Sequence, residues 1–291
     1  MKNILLTGAN GFLGAYMLDA LLAKGYRISI LIRTSSNLNK IKHHLDKIDV
    51  IDVNITPISK VFEKRIFESI IHLACCYGRN GETDVEVIRS NILFGAELLS
   101  NAIKNNTRSF INASTFSVDR SSFPQELKSY ILSKRHFTEW LEIQSNKIKV
   151  VNIKIEHIFG LNDSSHKFIP WVISEIKNGY YPITLHNPNE IRDFVNVKDV
   201  VSAFLFLLEK MPQLGSFTDL SAGSGSYFSI QEFVRLAENL YKKQKILKEL
   251  IQPNIYPPGP KTVLNKNVDQ LKQLGWHANC TLEKGILELI N

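Results

Sequence analysis

Short apolar runs alternate with amphipathic stretches along the first half of the chain. Each run is bounded by polar residues and turn formers, and the stretches between the runs repeat their apolar positions at helical spacing. This alternation predicts an α/β fold, a doubly wound sheet of buried parallel strands joined by helical crossovers. The predicted strands are 4–7, 27–32, 50–53, 69–74, 109–113 and 150–155, and the predicted helices are 12–24, 84–106 and 129–145.

The pattern changes after Gly160, where prolines concentrate and the elements become shorter. We expect a smaller C-terminal α/β lobe in this part of the chain. The prediction assigns residues 1–155 to the first domain, with a return segment near 185–210, and residues 156–291 mainly to the lobe. The prolines of this region are Pro170, Pro182, Pro188, Pro212, Pro253, Pro257, Pro258 and Pro260.

The composition is that of a globular protein with a core, because 44% of the 291 residues are hydrophobic and 22% are charged. The net charge of +7 comes largely from scattered lysines. We therefore expect a solvated basic surface rather than binding to nucleic acid, although an anionic substrate would suit a basic protein. The sequence leaves room for a homodimer.

The chain offers no sign of export, membrane insertion or metal binding. It lacks a basic leader and any apolar stretch long enough to span a bilayer. Its cysteines, Cys75, Cys76 and Cys280, are odd in number and have no Cys-x-x-Cys spacing. We expect neither a disulfide framework nor a zinc site, and we expect a cytoplasmic protein without a membrane partner.

A glycine-rich turn, Gly8-Ala9-Asn10-Gly11-Phe12-Leu13-Gly14, lies between the first predicted strand and the first predicted helix. Gly8 permits the tight turn, Gly11 lets backbone N–H groups approach a pyrophosphate, and Gly14 lets the helix pack on the strand. The N-terminus of the helix then faces the anionic phosphates. The sequence therefore predicts a Rossmann domain that binds a dinucleotide, rather than a purely structural turn.

The end of the second predicted strand bears on the choice of cofactor. NAD-preferring Rossmann proteins usually place an acid there to bind the ribose hydroxyls, but this chain has Ile32-Arg33-Thr34-Ser35-Ser36. The guanidinium of Arg33 can pair with a 2′-phosphate through charge-assisted hydrogen bonds. The alternative is an ordinary surface arginine. Because the acid is missing and hydroxyls are adjacent, the sequence favours NADP (as NADPH) over NAD.

Tyr130 and Lys134 have the spacing of a catalytic pair, because residues i and i+4 share one face of a helix. We expect the ammonium of Lys134 to lower the pKa of Tyr130 from about 10 toward neutrality. Such a tyrosine can exchange a proton with an alcohol or sugar oxygen during hydride transfer. Thr115, just after the fifth predicted strand, can hydrogen-bond the same oxygen. The spacing recurs at Tyr241 and Lys245, which we interpret as a solvated helix face.

Further motifs accompany this pair in a fixed order along the chain. They are Thr7-Gly8-x-x-Gly11-Phe12-x-Gly14, Ile71-His72-Leu73-Ala74, Ser114-Thr115, Tyr130-x-x-x-Lys134, Phe159-Gly160 and Arg192-Asp193-Phe194-x-x-Val197-x-Asp199-Val200. Together they resemble the extended short-chain dehydrogenase/reductase family of nucleotide-sugar epimerases, dehydratases and ketoreductases. Segments 76–80, 134–137, 155–160 and 167–170 resemble the members of that family that make CDP-linked 3,6-dideoxyhexoses.

The resemblance implies cofactor contacts at several positions. The backbone of residues 10–13 would hold the pyrophosphate. Asp52 and Val53 would lie by the adenine, and Leu73 and Ala74 would border the cofactor.

The resemblance also implies contacts for three side chains near the reacting centre or the substrate. Lys134 would bond the nicotinamide ribose as well as support Tyr130. Arg192 would meet the substrate diphosphate, with a structural salt bridge to Glu190 or Asp193 as the alternative. His157 would contact the nucleotide-sugar, with a satisfied core histidine as the alternative.

Departures from the family pattern narrow the reaction. The segment Thr115-Phe116-Ser117 lacks the acid pair that drives elimination in the dehydratases, so dehydration is not expected. The ribose-binding acid common in NAD-dependent epimerases is also absent. Asp119 and Lys154 stand where relatives often have tyrosine and arginine.

The sequence therefore predicts an NADPH-dependent reductase of the 4-keto group of a nucleotide-linked deoxysugar. The expected product is a CDP-3,6-dideoxyhexose for a surface polysaccharide, such as the O-antigen of lipopolysaccharide. An NAD-dependent NDP-sugar 4-epimerase is one alternative, and a non-catalytic dinucleotide sensor that kept the fold is another.

The cofactor preference can be tested by replacing Arg33. We expect Arg33→Ala to weaken NADPH binding by about 1.5–3 kcal/mol, the range of a hydrogen bond to a charged group, and to leave NADH binding nearly unchanged. Fluorescence titration of the purified protein with each cofactor measures both affinities. Equal losses for the two cofactors would contradict the assignment of Arg33 to a 2′-phosphate.

Overall fold

The computed structural model describes residues 2–119, 125–179, 183–185, 187–245 and 268–291. Within these residues the chain forms two units. The first comprises Met1–Ile155 and Val201–Leu220, and the second comprises Glu156–Val200 and Ser221–Asn291.

Ten strands are assigned within the described residues. They are β1 (Asn3–Thr7), β2 (Arg27–Ile32), β3 (Asp49–Asp52), β4 (Ser69–His72), β5 (Ser109–Thr115), β6 (Lys149–Ile155), β7 (His157–Phe159), β8 (Ile191–Asn196), β9 (Phe217–Ala222) and β10 (Tyr227–Ser229).

The α-helices of the described residues alternate with these strands. They are α1 (Phe12–Ala23), α2 (Ile58–Glu63), α3 (Asp84–Ile88), α4 (Phe94–Lys104), α5 (Lys128–Gln144), α6 (Phe168–Asn178), α7 (Val197–Lys210), α8 (Ile230–Lys245), α9 (Asp269–Gln273) and α10 (Leu282–Ile290).

The sheet of the first unit has seven strands in the described part of the chain, in the order β3-β2-β1-β4-β5-β6-β9. Strands β1 to β6 pair in parallel with their neighbours. This arrangement confirms the predicted α/β doubly wound fold. The strand order reverses between β1 and β4, and ligands of such sheets bind beyond the carboxyl ends of the strands at this switch point.

The central strands are apolar because they are covered on both faces. In β4 every residue from Ser69 to His72 is buried, and in β1 all residues after Asn3 are buried. Aliphatic and aromatic side chains from these strands and their helices form one core cluster, which includes Leu5, Ile70 and Phe110. This packing fixes the loops at the carboxyl edge of the sheet.

The predicted helix 84–106 is not a single α-helix. It consists of α3, a π-helical segment at Arg89–Leu93 and α4. A π-helical turn contains one residue more than an α-helical turn, and such segments often occur at functional sites. The helical spacing of apolar residues continues through Arg89–Leu93, so the sequence pattern did not indicate a π-helical segment there.

The second unit contains a sheet that, in the described residues, has three strands in the order β10-β8-β7. Helices α6, α8 and α10 contribute to its core, with Phe194 and Phe233 stacked at 4.8 Å between ring centroids. Tyr241 of α8 packs against this core, and its hydroxyl lies 3.4 Å from the carbonyl oxygen of Lys177. The interpretation of Tyr241 as part of a solvated face was therefore wrong.

In the described part of the chain, no helix has the length and apolar character needed to cross a bilayer.

Candidate active site

The glycine-rich turn lies against the loop that follows β4, at the switch point of the sheet. Gly8 has a φ of +70°, and a Cβ there would lie 2.7 Å from the backbone nitrogen of Ala74. A Cβ at Gly14 would lie only 1.9 Å from the carbonyl oxygen of Gly8. Neither position therefore accepts a side chain without movement of the backbone.

The N-terminus of α1 is open to an anion. Its N-cap is Gly11, which provides no capping side chain, and its first turn contains no acidic residue. Backbone N–H groups and the helix dipole favour negative charge at such a terminus. Together with the close approach of Gly8 to Ala74, this is the cradle that a dinucleotide pyrophosphate requires, so the residues present fit such a cofactor.

Polar groups surround the end of β2. Arg33 is exposed, and Thr34 donates from Oγ1 to the carboxylate of Asp52 at 2.6 Å. The same carboxylate accepts from the backbone of Asn54 at 2.8 Å. An acid therefore lies next to the end of β2, but it comes from β3. Val53 packs against the core of the unit, as a partly buried residue.

Loop residues after β4 are held by Thr7, at the end of β1. The Oγ1 atom of Thr7 accepts from the backbone N–H of Ala74 at 3.2 Å and lies 2.9 Å from Nδ1 of His72. Leu73, between them, is 9% exposed. These contacts join the carboxyl ends of the two strands that flank the switch point.

His72 is completely buried among aromatic rings. Phe94, Phe110 and Phe137 lie 5.6–5.8 Å from its ring centroid. Burial lowers the pKa of His72 to about 3, with a smaller contribution from the charge of Lys134. His72 is therefore neutral at physiological pH and can accept a hydrogen bond from the Thr7 hydroxyl.

The structure brings Thr115 and Tyr130 together, as the sequence predicted. Thr115 ends β5, Tyr130 lies in the first turns of α5, and their side chains are 8% and 7% exposed. A hydrogen bond links the Thr115 and Tyr130 side chains. Lys134, one turn further along α5, is 2% exposed and donates from Nζ to the carbonyl oxygen of Ala113 at 2.9 Å.

The expected lowering of the Tyr130 pKa is wrong. Burial raises the pKa of Tyr130 well above its usual value, and the neighbouring Tyr77 and Cys75 add to the effect, whereas the hydrogen bond from Thr115 opposes it. Burial also lowers the pKa of Lys134. Desolvation outweighs the attraction that the i, i+4 spacing predicted, because it penalises the charged form of each group. Tyr130 is therefore a protonated phenol, the form that acts as a proton donor.

A second phenol, which sequence reasoning did not assign to the site, lies beside Tyr130. The ring of Tyr77 is centred 4.6 Å from the ring of Tyr130, with 31° between the planes, and the two hydroxyls are within hydrogen-bonding range. Tyr77 is 40% exposed. The only sequence signal was its place in the segment 76–80, which the family resemblance singled out without giving it a role.

Asn91 connects the loop that carries Tyr77 to helix α5. It lies in the π-helical segment and is fully buried. Its Oδ1 accepts from the backbone of Cys76 at 2.7 Å, and its Nδ2 donates to the Cys76 carbonyl at 2.8 Å and to Ser133 Oγ at 2.9 Å. Ser133 in turn donates to the backbone carbonyl of Tyr130 at 2.7 Å. One buried amide therefore holds both tyrosines in register.

The two departures from the family pattern, Asp119 and Lys154, form an ion pair. Lys154 Nζ lies 3.0 Å from a carboxylate oxygen of Asp119 and 3.0 Å from one of Asp219. Asp219, on β9, also accepts from Asn152 at 2.8 Å. Burial alone would lower the pKa of Lys154, but the two carboxylates raise it. Their negative charges compensate the buried ammonium.

The two residues predicted to bind the substrate lie in the second unit. Arg192 donates from Nη2 to Glu190 at 3.0 Å, and its guanidinium lies 5.4 Å from the ring centroid of Phe168. The predicted alternative, a salt bridge to Glu190, is therefore present. The Nε atom of Arg192 is buried and has no hydrogen-bond partner among the described residues. The ring of His157 lies 5.9 Å from that of Phe194.

Asp193, the other acid considered as a partner for Arg192, is used elsewhere. Its carboxylate accepts hydrogen bonds from the backbone and hydroxyl of Ser224 and from the backbone of Gly225, at 2.7–2.8 Å. Burial nevertheless raises its pKa. Asp193 therefore fixes the loop that precedes β10.

This combination of a doubly wound sheet, a glycine cradle and a buried Thr-Tyr-Lys group defines a dinucleotide-dependent enzyme. Residues 4–223 match the NAD dependent epimerase/dehydratase family, and the chain belongs to that family. It is a nucleotide-sugar-modifying enzyme.

Relatives and solved structures agree with this assignment. The chain is 28% identical to the CDP-abequose synthase of Salmonella typhimurium, over 99% of this chain and 97% of the relative. Its fold is similar to the crystal structure of UDP-glucose 4-epimerase from Thermotoga maritima with UDP-glucose, with a TM-score of 0.79, 21% identity, and coverage of 99% and 97%. The dTDP-glucose 4,6-dehydratase of Bacillus anthracis in complex with NAD gives a TM-score of 0.78 at 20% identity, with coverage of 100% and 96%.

The buried His72 predicts a specific dependence of stability on pH. Its folded pKa lies below its unfolded value of 6.5, so the unfolded chain binds the additional proton between these values. The contribution of neutral His72 to the free energy of unfolding is therefore fully present above about pH 6.5 and is lost as the pH falls toward 3. The loss has a slope of about 1.4 kcal/mol per pH unit.

Urea unfolding of the wild type and of His72→Asn isolates this contribution. The measurements cover about pH 4 to 7, a range in which both proteins are expected to be folded without urea. The difference in unfolding free energy between the two should shrink as the pH falls. The exposed His277→Asn is the matched control and should follow the wild-type profile. A constant difference between the wild type and His72→Asn would show that His72 is not held neutral by the fold.

Proposed function

We propose that this protein is an NADPH-dependent reductase of the 4-keto group of a nucleotide-linked deoxysugar. Its product would be a CDP-3,6-dideoxyhexose for a surface polysaccharide such as the O-antigen of lipopolysaccharide. The observation that carries this proposal is the buried, protonated Tyr130 hydrogen-bonded to Thr115. Full-length similarity to a CDP-abequose synthase supports the choice of substrate.

We assign the parts of the cofactor to residues of the first unit. The pyrophosphate would bind to the backbone of residues 10–13, with Gly8, Gly11 and Gly14 keeping the space clear. The exposed Arg33 would meet the 2′-phosphate, and Asp52, whose carboxylate accepts a hydrogen bond from Thr34, would lie by the adenine. The other proposed cofactor contacts are Val53, Leu73, Ala74, Tyr130 and Lys134.

NADPH held by these residues would supply the hydride for the carbonyl carbon. Tyr130 donates its phenolic proton to the sugar oxygen as negative charge develops there, which is general acid catalysis. Thr115 orients the same oxygen through its hydroxyl. Lys134, which donates to the Ala113 carbonyl, would stabilise the phenolate that forms and would bind the nicotinamide ribose.

The proposed substrate contacts are those of the second unit. Arg192 would share its guanidinium between Glu190, which pairs with Nη2, and the diphosphate. Arginine suits this role since its planar donors match phosphate geometry. We assign His157 to the nucleotide-sugar by its position in the family motif.

A specific observation favours a second candidate, an NAD-dependent 4-epimerase of nucleotide sugars. Asp52 places a carboxylate beside the end of β2, where an acid can bind ribose hydroxyls. A tightly bound NAD in the purified protein, together with interconversion of sugar epimers without net cofactor oxidation, would favour this candidate over the reductase.

The proposed activity is tested with a panel of CDP-, UDP-, dTDP- and GDP-linked 4-keto sugars. We expect NADPH absorbance to fall with a CDP-linked 4-keto-3,6-dideoxyhexose, and a reduced sugar to appear in equal amount. If no keto sugar in the panel oxidises NADPH, the assignment as a reductase is wrong.

Removal of the Tyr130 hydroxyl tests the catalytic assignment. Tyr130→Phe should fold and bind NADPH, while kcat falls by about 10²–10⁴-fold, the usual contribution of general acid–base catalysis. Lys134→Met should lower kcat and also weaken NADPH binding, because the same ammonium would stabilise the Tyr130 phenolate and bind the nicotinamide ribose. Steady-state kinetics and fluorescence titration measure the two effects.

The matched control is Tyr241→Phe, the other tyrosine with this lysine spacing, which lies in the second unit. It loses only a long hydrogen bond to the Lys177 carbonyl and should keep the wild-type kcat. A Tyr130→Phe variant with unchanged kcat under conditions where chemistry limits the rate would assign the proton donor elsewhere.

A further inference from the structure

The two tyrosines differ sharply in their access to water. Tyr130 is 7% exposed and Tyr77 is 40% exposed, although their rings are only 4.6 Å apart. A buried acid that gives up its proton must recover one before the next turnover. Among the described residues, Tyr77 is a side chain that both stacks on Tyr130 and reaches the solvent.

The pairing of the two phenols is built into the first unit. Tyr77 follows Cys76, whose backbone N–H and C=O are both bound by the side chain of Asn91. The same amide binds Ser133, one turn after Tyr130, and Ser133 binds the Tyr130 carbonyl. Four hydrogen bonds of 2.7–2.9 Å therefore fix the loop of Tyr77 to the helix of Tyr130.

Two other polar neighbours of Tyr130, Thr115 and Lys134, do not offer a comparable route. Thr115 is buried at 8% exposure, and its hydroxyl is shared with Tyr130 and the backbone of Ser117. Lys134 is 2% exposed and donates to the Ala113 carbonyl. Both groups act from inside the unit, whereas Tyr77 reaches its surface.

We infer that Tyr77 is a second catalytic phenol, which returns a proton to Tyr130 after each reduction. This inference rests on the proposed reductase activity. The ketone gains a hydride from the cofactor and a proton from the Tyr130 hydroxyl, which leaves Tyr130 as phenolate. The Tyr77 O–H bond then breaks as its proton moves to the Tyr130 oxygen, and water supplies the proton that restores Tyr77.

The scheme separates the first turnover from the later ones. Tyr130 begins protonated, so Tyr77→Phe, which keeps the stacked ring and removes the hydroxyl, should support a first turnover at nearly the wild-type rate. Steady-state kcat should fall roughly 10–100-fold, less than for a group that acts directly on the substrate. Added imidazole, a small proton donor, should restore much of the loss in this variant and have little effect on the wild type.

Rapid-mixing measurements of NADPH absorbance, with enzyme in excess and then with substrate in excess, give the two rates. Tyr241→Phe serves again as the variant that loses a hydroxyl outside this pair and should behave as the wild type in both. An unchanged steady-state kcat in Tyr77→Phe, or a slowed first turnover with no response to imidazole, would overturn the relay.

A spectroscopic titration keeps this test separate from the proposed activity. The Tyr130 signal is obtained from ultraviolet difference spectra against Tyr130→Phe, without any sugar present. The Tyr77 hydroxyl raises the pKa of Tyr130, so Tyr77→Phe should move that signal to lower pH. A shift with no turnover of any keto sugar would reject the reductase while retaining the coupled phenols. An unmoved signal would reject the pairing itself.

Discussion

The site depends on a contact between two stretches of backbone. The turn after β1 approaches the loop after β4 so closely that a single methyl group at Gly8 would collide with the backbone of Leu73 and Ala74. The Thr7 hydroxyl reinforces this contact by binding both His72 and Ala74. Because the chain continues from Ala74 to Tyr77, the position of the phenol pair follows from the same approach that shapes the cofactor cradle.

Several buried polar groups of the first unit have specific partners that offset their desolvation. Lys154 is balanced by two carboxylates, Asn91 is bound on both sides of its amide, and the charge of Lys134 is directed to a strand carbonyl. Removing any one partner would leave a buried polar group unmatched, so these residues specify the geometry of the site as well as its chemistry.

Local patterns predicted much of the fold, because periodicity and glycine spacing are local properties. The strand 27–32 was placed at the observed bounds, and the glycine turn lies between β1 and α1 as expected. Strand β9 was not predicted, since its polar Asp219 interrupts the apolar pattern and is explained only by Asn152 and Lys154 on another strand.

The candidate site shows the same division between local and distant information. The spacing of Tyr130 and Lys134 was visible in the sequence, but the direction of the Tyr130 pKa depends on burial, which no short motif contains. Tyr77 and Asn91 come from separate elements that only the fold brings together. The sequence signal for Tyr77 was its place in segment 76–80, and Asn91 was one asparagine within an amphipathic stretch.

The π-helical segment at Arg89–Leu93 has a consequence for the evolution of this chain. Deleting one residue within it would remove the extra residue of the π-turn, so regular α-helix would form there while α3 and α4 keep their orientation. Asn91 would then no longer face Cys76 and Ser133. Loss of a single codon could thus separate the folding of the domain from its catalytic competence, and the segment is a point where inactive descendants of the enzyme could arise in one step.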